Sequence, residues 1–141
     1  MNIEIKTIDQ IDRKEWNDLL AHSSTASYFQ SPECYDFYQS LSFINPFGYG
    51  VSENGKLKGL VIGYIISDGN KIKRFFSRRA IIPGGILFLE NISQSATGNL
   101  LQTLKEKLNK KEIYIEIRNY NDYTKYKSLF NENNFTYHAQ L

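Results

Sequence analysis

The 141-residue chain has one cysteine, Cys34, and two histidines, His22 and His138. A single thiol excludes an internal disulfide and a cysteine-based metal cluster. The two histidines stand in no metal-ligand spacing. There is no Ser-His-Asp set, no carboxylate pair in a recognisable context and no phosphate-binding P-loop. Long apolar runs are also missing. None approaches the roughly 18 residues of a membrane span. The opening MNIEIKTIDQ alternates apolar and polar residues, unlike a signal peptide. The expected compartment is the cytoplasm. Net charge is only +2, so any case for nucleic acid or another anion has to be local.

Against these absences, hydrophobic residues make up 41% and charged residues 23% of the chain. That balance fits one soluble globular domain, residues 1–141, with a real core. Ten tyrosines and nine phenylalanines supply core and strand faces, and a minority can line a groove. Ile3, Ile5 and Ile8 mark a first strand. Asp12 and Glu15 form a capping-box start for a helix buried through Trp16, Leu19 and Leu20. Ser31-Pro32-Glu33 starts a second helix that runs to Leu41, with Cys34, Phe37, Tyr38 and Leu41 as its buried stripe. Strands are predicted over 46–52 and 57–66, joined by an Asn54-Gly55 hairpin turn. A turn at 67–70 and a third strand over 71–77 follow. Past the break at Pro83-Gly84-Gly85, residues 86–89 read as a short apolar strand.

Ser93 or Ser95 caps a long helix whose core stripe is Leu100, Leu101, Leu104 and Leu108. Residues 113–118 alternate as a strand. Asp122 caps a last helix holding Tyr123, Tyr126, Leu129 and Phe130, Asn134 suits its end, and 135–141 read as a final strand. That strand still alternates at Leu141, so the chain is expected to be a piece of a longer protein. The order predicts an α+β fold: a mixed, largely antiparallel sheet with helices on both faces.

Four stretches are candidates for function. Lys71, Lys73, Arg74, Arg78 and Arg79 fall within nine residues, interleaved with Phe75 and Phe76. They read either as a phosphate-holding strand and loop or as solvated charges that protect a sheet edge. Arg78 and Arg79, beside the glycine turn, are the stronger ligand candidates. Gly84 and Gly85 allow close backbone approach to a ligand, or form a plain turn or bulge. Arg118 ends the alternating strand, where side chains face a sheet crevice, or it pairs with Glu116 or Glu132. Tyr28, Gln30 and Tyr35 surround a helix start and can form a peptide or sugar platform, or simply pack in the core. Cys34 reads as a buried structural residue, and His138 as a solvent-facing or satisfied histidine.

The order of elements is similar to the GCN5-related N-acetyltransferase fold without its last strand. Acetyl-CoA-using members of that fold carry a Gln/Arg-x-x-Gly-x-Gly/Ala loop immediately before the central helix, and this chain lacks it. Within the fold, Trp16 to Leu20, Ser27-Tyr28-Phe29-Gln30-Ser31-Pro32-Glu33, the segment from Phe76 to Gly85, and Ile115 to Asn119 with Asn134 to Tyr137 resemble the first domain of the Fem-type aminoacyltransferases. These enzymes build peptidoglycan interpeptide bridges with two tandem GCN5-related domains. The resemblance implies an acceptor-binding half of an acyl- or aminoacyltransferase, inactive alone, whose partner is a second such domain of the same chain. It implies an anionic small-molecule or muropeptide acceptor, and no cofactor in this domain. Aminoacyl-tRNA or acyl-CoA would be the donor for the full-length protein, with tRNA not held by this half alone. It names no catalytic residue. Two other readings stand beside it: a non-enzymatic binding module of the same fold, and an ordinary acetyl-CoA-dependent N-acetyltransferase.

Overall fold

The computed structural model describes residues 2–66, 79–109, 114–121, 123–133 and 135. In chain order these form β1 (Ile3–Thr7), α1 (Arg13–His22), α2 (Pro32–Ser40), β2 (Asn45–Glu53), β3 (Lys56–Ile66), β4 (Arg79–Gly84), β5 (Leu87–Phe88), α3 (Gln94–Asn109), β6 (Tyr114–Asn119) and α4 (Lys127–Glu132). One sheet runs β1-β2-β3-β4-β6, with β5 paired to β3. Every pairing is antiparallel except β4 with β6. The fold is therefore α+β with a mixed, largely antiparallel sheet, as the order of elements predicts.

Local chemistry explains most boundaries. Asp12 accepts from the Lys14 amide at 3.1 Å, and Glu15 reaches back to the Asp12 amide at 3.2 Å, which fixes the start of α1. At α2, Ser31 accepts from the Cys34 amide at 3.1 Å and Pro32 takes the first turn. Ser93, not Ser95, caps α3: its hydroxyl accepts from the Ala96 amide at 3.0 Å. The β2–β3 turn has φ of 51° at Asn54 and 84° at Gly55, the left-handed pair that such a turn requires.

Strand β3 divides the core. Leu60, Ile62, Tyr64 and Ile66 face α1 and α2, while Val61 and Ile65 join the cluster under α3 with Leu100, Leu101, Leu104 and Leu108. This period of two places helices on both faces. The sequence reading needs several corrections. Phe37 is 54% exposed; Tyr35, one position past Cys34, is buried instead and packs against Trp16 with ring centroids 6.2 Å apart. Of the two readings of Pro-Gly-Gly as plain turn or bulge, the plain turn falls away, because Pro83 and Gly84 complete strand β4. The last helix starts through a tight turn at Thr124–Tyr126. The turn at 67–70, the strand over 71–77, Ile113, Asp122, Asn134 and residues 136–141 lie outside the described residues.

Candidate functional site

The parallel pair β4–β6 ends where Gly84 stands opposite Asn119. Beyond that point β5 pairs with β3 alone among the described strands, so the sheet splays. Tyr64 pairs with Ile81 and Leu60 with Leu87, so four steps along β3 answer six along the facing chain. The two surplus residues form a bulge that re-aims the strand. Gly84 and Gly85 sit there at φ of 81° and 82°, a region side chains rarely adopt. A Cβ on Gly84 would stand 2.7 Å from Ser27 Oγ, and one on Gly85 would stand 2.5 Å from Asn119 Oδ1. Both glycines thus admit close neighbours, and those neighbours are the chain's own.

Side chains from the α1–α2 loop and from the residue after the splay fill the wedge. Gln30 is fully buried. Its amide nitrogen donates to the carbonyls of Thr25 and Gly84, each at 2.9 Å, and of Gly85 at 3.3 Å. Its carbonyl oxygen accepts from the Ser27 amide at 2.6 Å. The Tyr123 hydroxyl points at the carbonyls of Ile86, at 2.6 Å, and Gly84, at 3.2 Å. Burial pushes its pKa up to about 12. Thr25 Oγ1 accepts from the Phe88 amide at 3.0 Å and donates to the Ile86 carbonyl at 3.2 Å. Ser23 Oγ donates to the Phe88 carbonyl. The open edge of β5 is therefore satisfied by side chains where a neighbouring strand would otherwise be needed.

Directly above the wedge the surface changes character. Tyr28, Phe29 and Tyr120 are 58%, 38% and 55% exposed. Their rings meet edge to face, Phe29 lying 5.8 Å from Tyr28 and 5.3 Å from Tyr120. Asn121 ties this rim to the loop by donating to the Ala26 carbonyl at 3.3 Å. Arg118, opposite Pro83 in the register, makes a 3.0 Å ion pair with Glu116 and stays partly exposed.

Of the residues singled out from sequence, Gln30, Gly84 and Gly85 are joined by hydrogen bonds, with Tyr28 at their rim and Arg118 on the adjoining strand. Arg79 starts β4 opposite Ile66, five residues and roughly 16 Å of strand from Gly84. Tyr35 is buried beside Trp16 on the α1 side. Arg78, Lys71, Lys73, Arg74, Phe75, Phe76 and His138 lie outside the described residues. Cys34 is buried, and burial raises its pKa, as suits an inert thiol. Among the described residues no cluster of His, Cys, Asp or Glu is suited to a metal ion, and no helix is long and apolar enough to cross a membrane. Phe29 falls in the aromatic stretch around the second helix start and Tyr120 in the segment that follows the alternating strand, both marked by the sequence, whereas Thr25 and Tyr123 read there only as loop and helix residues. One signal was readable: Ser27 and Gln30, three apart, form a capping box around the turn Tyr28–Gln30.

A second internal arrangement lies at the start of α3. Glu53 is 5% exposed. Its carboxylate accepts from the Ser93 amide at 2.7 Å and pairs with Lys58 at 3.1 Å. Burial works against this charge, but the hydrogen bonds from Ser93 and the Lys58 pairing outweigh it and hold the pKa below the usual carboxylate range. Beside this helix start, a cleft of about 220 Å³ runs toward α4 between Gln94, Thr97 and Tyr126. Among the described residues Glu90 and Glu132 are its charged lining groups, and no described Lys, Arg or His lines it.

No protein-family model matches the chain, and no curated protein matches it by sequence. Solved structures do match. Glucosamine-6-phosphate N-acetyltransferase from Arabidopsis thaliana superposes with a TM-score of 0.66 at 8% identity, over 100% of this chain and 96% of that one. A predicted acetyltransferase from Clostridium acetobutylicum, solved with acetyl-CoA, gives 0.62 at 10%, over 99% and 94%. FemX gives 0.62 at 15%, over 83% of this chain but only 27% of its own. Identities this low establish the fold alone. The described residues of the chain have the GCN5-related N-acetyltransferase fold.

Proposed function

We propose that this chain is the acceptor-binding domain of an acyl- or aminoacyltransferase, one domain of a longer two-domain protein. The observation that carries the reading is the aromatic rim at the carboxyl ends of the parallel strands β4 and β6. In open sheets with parallel strands, ligands collect in the crevice at that end. Tyr28, Phe29 and Tyr120 offer ring faces and edges to a sugar or peptide. Arg118 offers a permanent positive charge to a carboxylate or phosphate. The wedge beneath is buried and hydrogen-bonded within the chain, so the rim rests on a packed floor.

The chemistry asked of such a domain is alignment. Holding an amine acceptor against an activated ester removes a large part of the entropic barrier, and no catalytic side chain on this domain is needed for that. The likeness to FemX, which covers about a quarter of that longer chain, supports the two-domain reading. The sequence resemblance to the Fem-type enzymes implies an anionic muropeptide or related acceptor, with aminoacyl-tRNA or acyl-CoA as donor for the full-length protein. N-acetyl transfer by this domain itself is the activity that the acetyltransferase neighbours' names carry. A non-enzymatic binding module would use the same rim without any transfer.

The test is calorimetric titration with a UDP-linked muropeptide. Binding by the unmodified chain, weakened roughly tenfold (about 1.4 kcal/mol) in Tyr120→Ala and in Arg118→Ala, supports the proposal. Absence of binding, or equal affinity for all three proteins, overturns it.

A further inference from the structure

Coenzyme A asks two things of a protein. Its diphosphate needs unpaired amides or cations, and a helix N-terminus supplies both the amides and a favourable dipole. Its extended pantetheine arm carries two amides and pairs with a free strand edge as a peptide would. In this fold the helix start is that of α3, where the acetyl-CoA-using members carry their glycine-containing loop. The free edge is that of β5 in the splay. At both places the chain's own groups already take part of what the ligand needs.

At the helix start the anion is already present. Glu53 comes from the end of β2, accepts from the Ser93 amide and pairs with Lys58. Ser93 Oγ takes the Ala96 amide as well. The adjoining cleft presents Glu90 and Glu132, which repel a second anion. Along the strand edge, the Phe88 amide donates to Thr25, and the Phe88 carbonyl accepts from Ser23. The Ile86 carbonyl accepts from Tyr123, and the Gly84 and Gly85 carbonyls accept from Gln30. An incoming arm would find the Phe88 amide and the carbonyls of Gly84, Gly85, Ile86 and Phe88 engaged, and would have to displace a fully buried glutamine.

We infer that the chain carries its own substitutes for an acyl-CoA, the Glu53 carboxylate for the phosphate and the Thr25–Gln30–Tyr123 group for the pantetheine arm, so that this domain does not take a coenzyme A donor. The inference is independent of which acceptor the rim binds. An acceptor that fails to bind would overturn the proposed function and leave this statement standing. Coenzyme A binding in the wedge would do the reverse.

The experiment has two arms. In the first, the unmodified chain is titrated with coenzyme A, and amide chemical shifts are followed. No saturable shift of any amide up to millimolar ligand supports the inference. Saturable shifts at Phe88, Ser93 or their neighbours along the edge and the helix start overturn it. In the second, thermal unfolding of the chain and of Glu53→Ala is compared with and without inorganic diphosphate, at matched ionic strength. With the internal carboxylate gone, Lys58 and the Ser93 amide are freed, so diphosphate raises the unfolding temperature of Glu53→Ala by several degrees more than that of the parent. An equal response overturns the role given to Glu53. If Glu53→Ala does not fold, recovery of folded protein by diphosphate but not by chloride supports that role, and no recovery overturns it.

Discussion

Gln30 and Tyr28 stand two residues apart in one tight turn, yet they meet opposite environments. Gln30 is fully buried and binds the bulge; Tyr28 is more than half exposed and faces solvent. The difference shows how this domain separates rigidity from recognition. Inward polar groups satisfy the splayed strand, where a missed hydrogen bond is costly. Outward rings sit on that fixed base at little folding cost and remain free for a partner. The same contrast recurs at the other side of the splay, where Tyr123 is buried and Tyr120 exposed.

The sharpest way to break the contrast is Gln30→Leu. It removes the partner of three carbonyls and one amide while keeping a buried side chain. Urea unfolding should show a loss of roughly 3 kcal/mol. A loss below about 1 kcal/mol would mean that water enters the wedge freely and that its closure is not structural.

Glu53→Gln comes next, at about 2 kcal/mol, since an acceptor for Ser93 is kept and the Lys58 pairing is lost. Its pH signature is specific. The folded pKa of Glu53 is depressed below its ordinary 4.5, so the carboxylate adds stability above that value and loses it as pH falls through the folded pKa. Acid unfolding curves should therefore be shallower in the variant below about pH 4.5.

Tyr123→Phe should cost about 1–2 kcal/mol and change the opposite pH arm. The folded phenol titrates at about 12, above the ordinary value near 10. Its contribution is complete below pH 10 and is lost as pH rises from 10 toward 12. Tyr35, Tyr38 and Tyr49 are raised by burial too, so the variant flattens the alkaline arm without abolishing it. The smallest effect belongs to the rim. Tyr28→Ala should change stability by less than about 0.5 kcal/mol while weakening muropeptide binding. A large loss of stability would make Tyr28 a packing residue and take it out of the rim.

Much of the fold could be read from side-chain chemistry that acts locally. Asp12 with Glu15, Ser31 with Pro32, and Asn54 with Gly55 each set a boundary through hydrogen bonds within a few residues, and the structure places those boundaries where these pairs stand. The leucine stripe of α3 and the alternation in β3 were equally legible, because burial follows period. The wedge was not. Gln30 is buried because carbonyls fifty-four and fifty-five residues away converge on it, and no periodicity reports such a convergence. Phe37 misled for the complementary reason: it lies at helical spacing on α2, but the described sheet and helices do not cover it. Glu53 looked like the first residue of a polar turn, and only the packing of β2 against the start of α3 turns it into a buried anion. The basic run that dominated the sequence contributes only Arg79 to the described residues.

The central claim is that recognition lies on the rim and that the wedge below is closed. Amide chemical-shift mapping of the same sample with a UDP-linked muropeptide and, separately, with acetyl-CoA tests it most directly. The account predicts that the muropeptide moves the amides of Tyr28, Arg118 and Tyr120, and that neither ligand moves those of Ile86, Phe88 and Ser93. Acetyl-CoA shifts at Phe88 and Ser93, with the rim unmoved by the muropeptide, would contradict it.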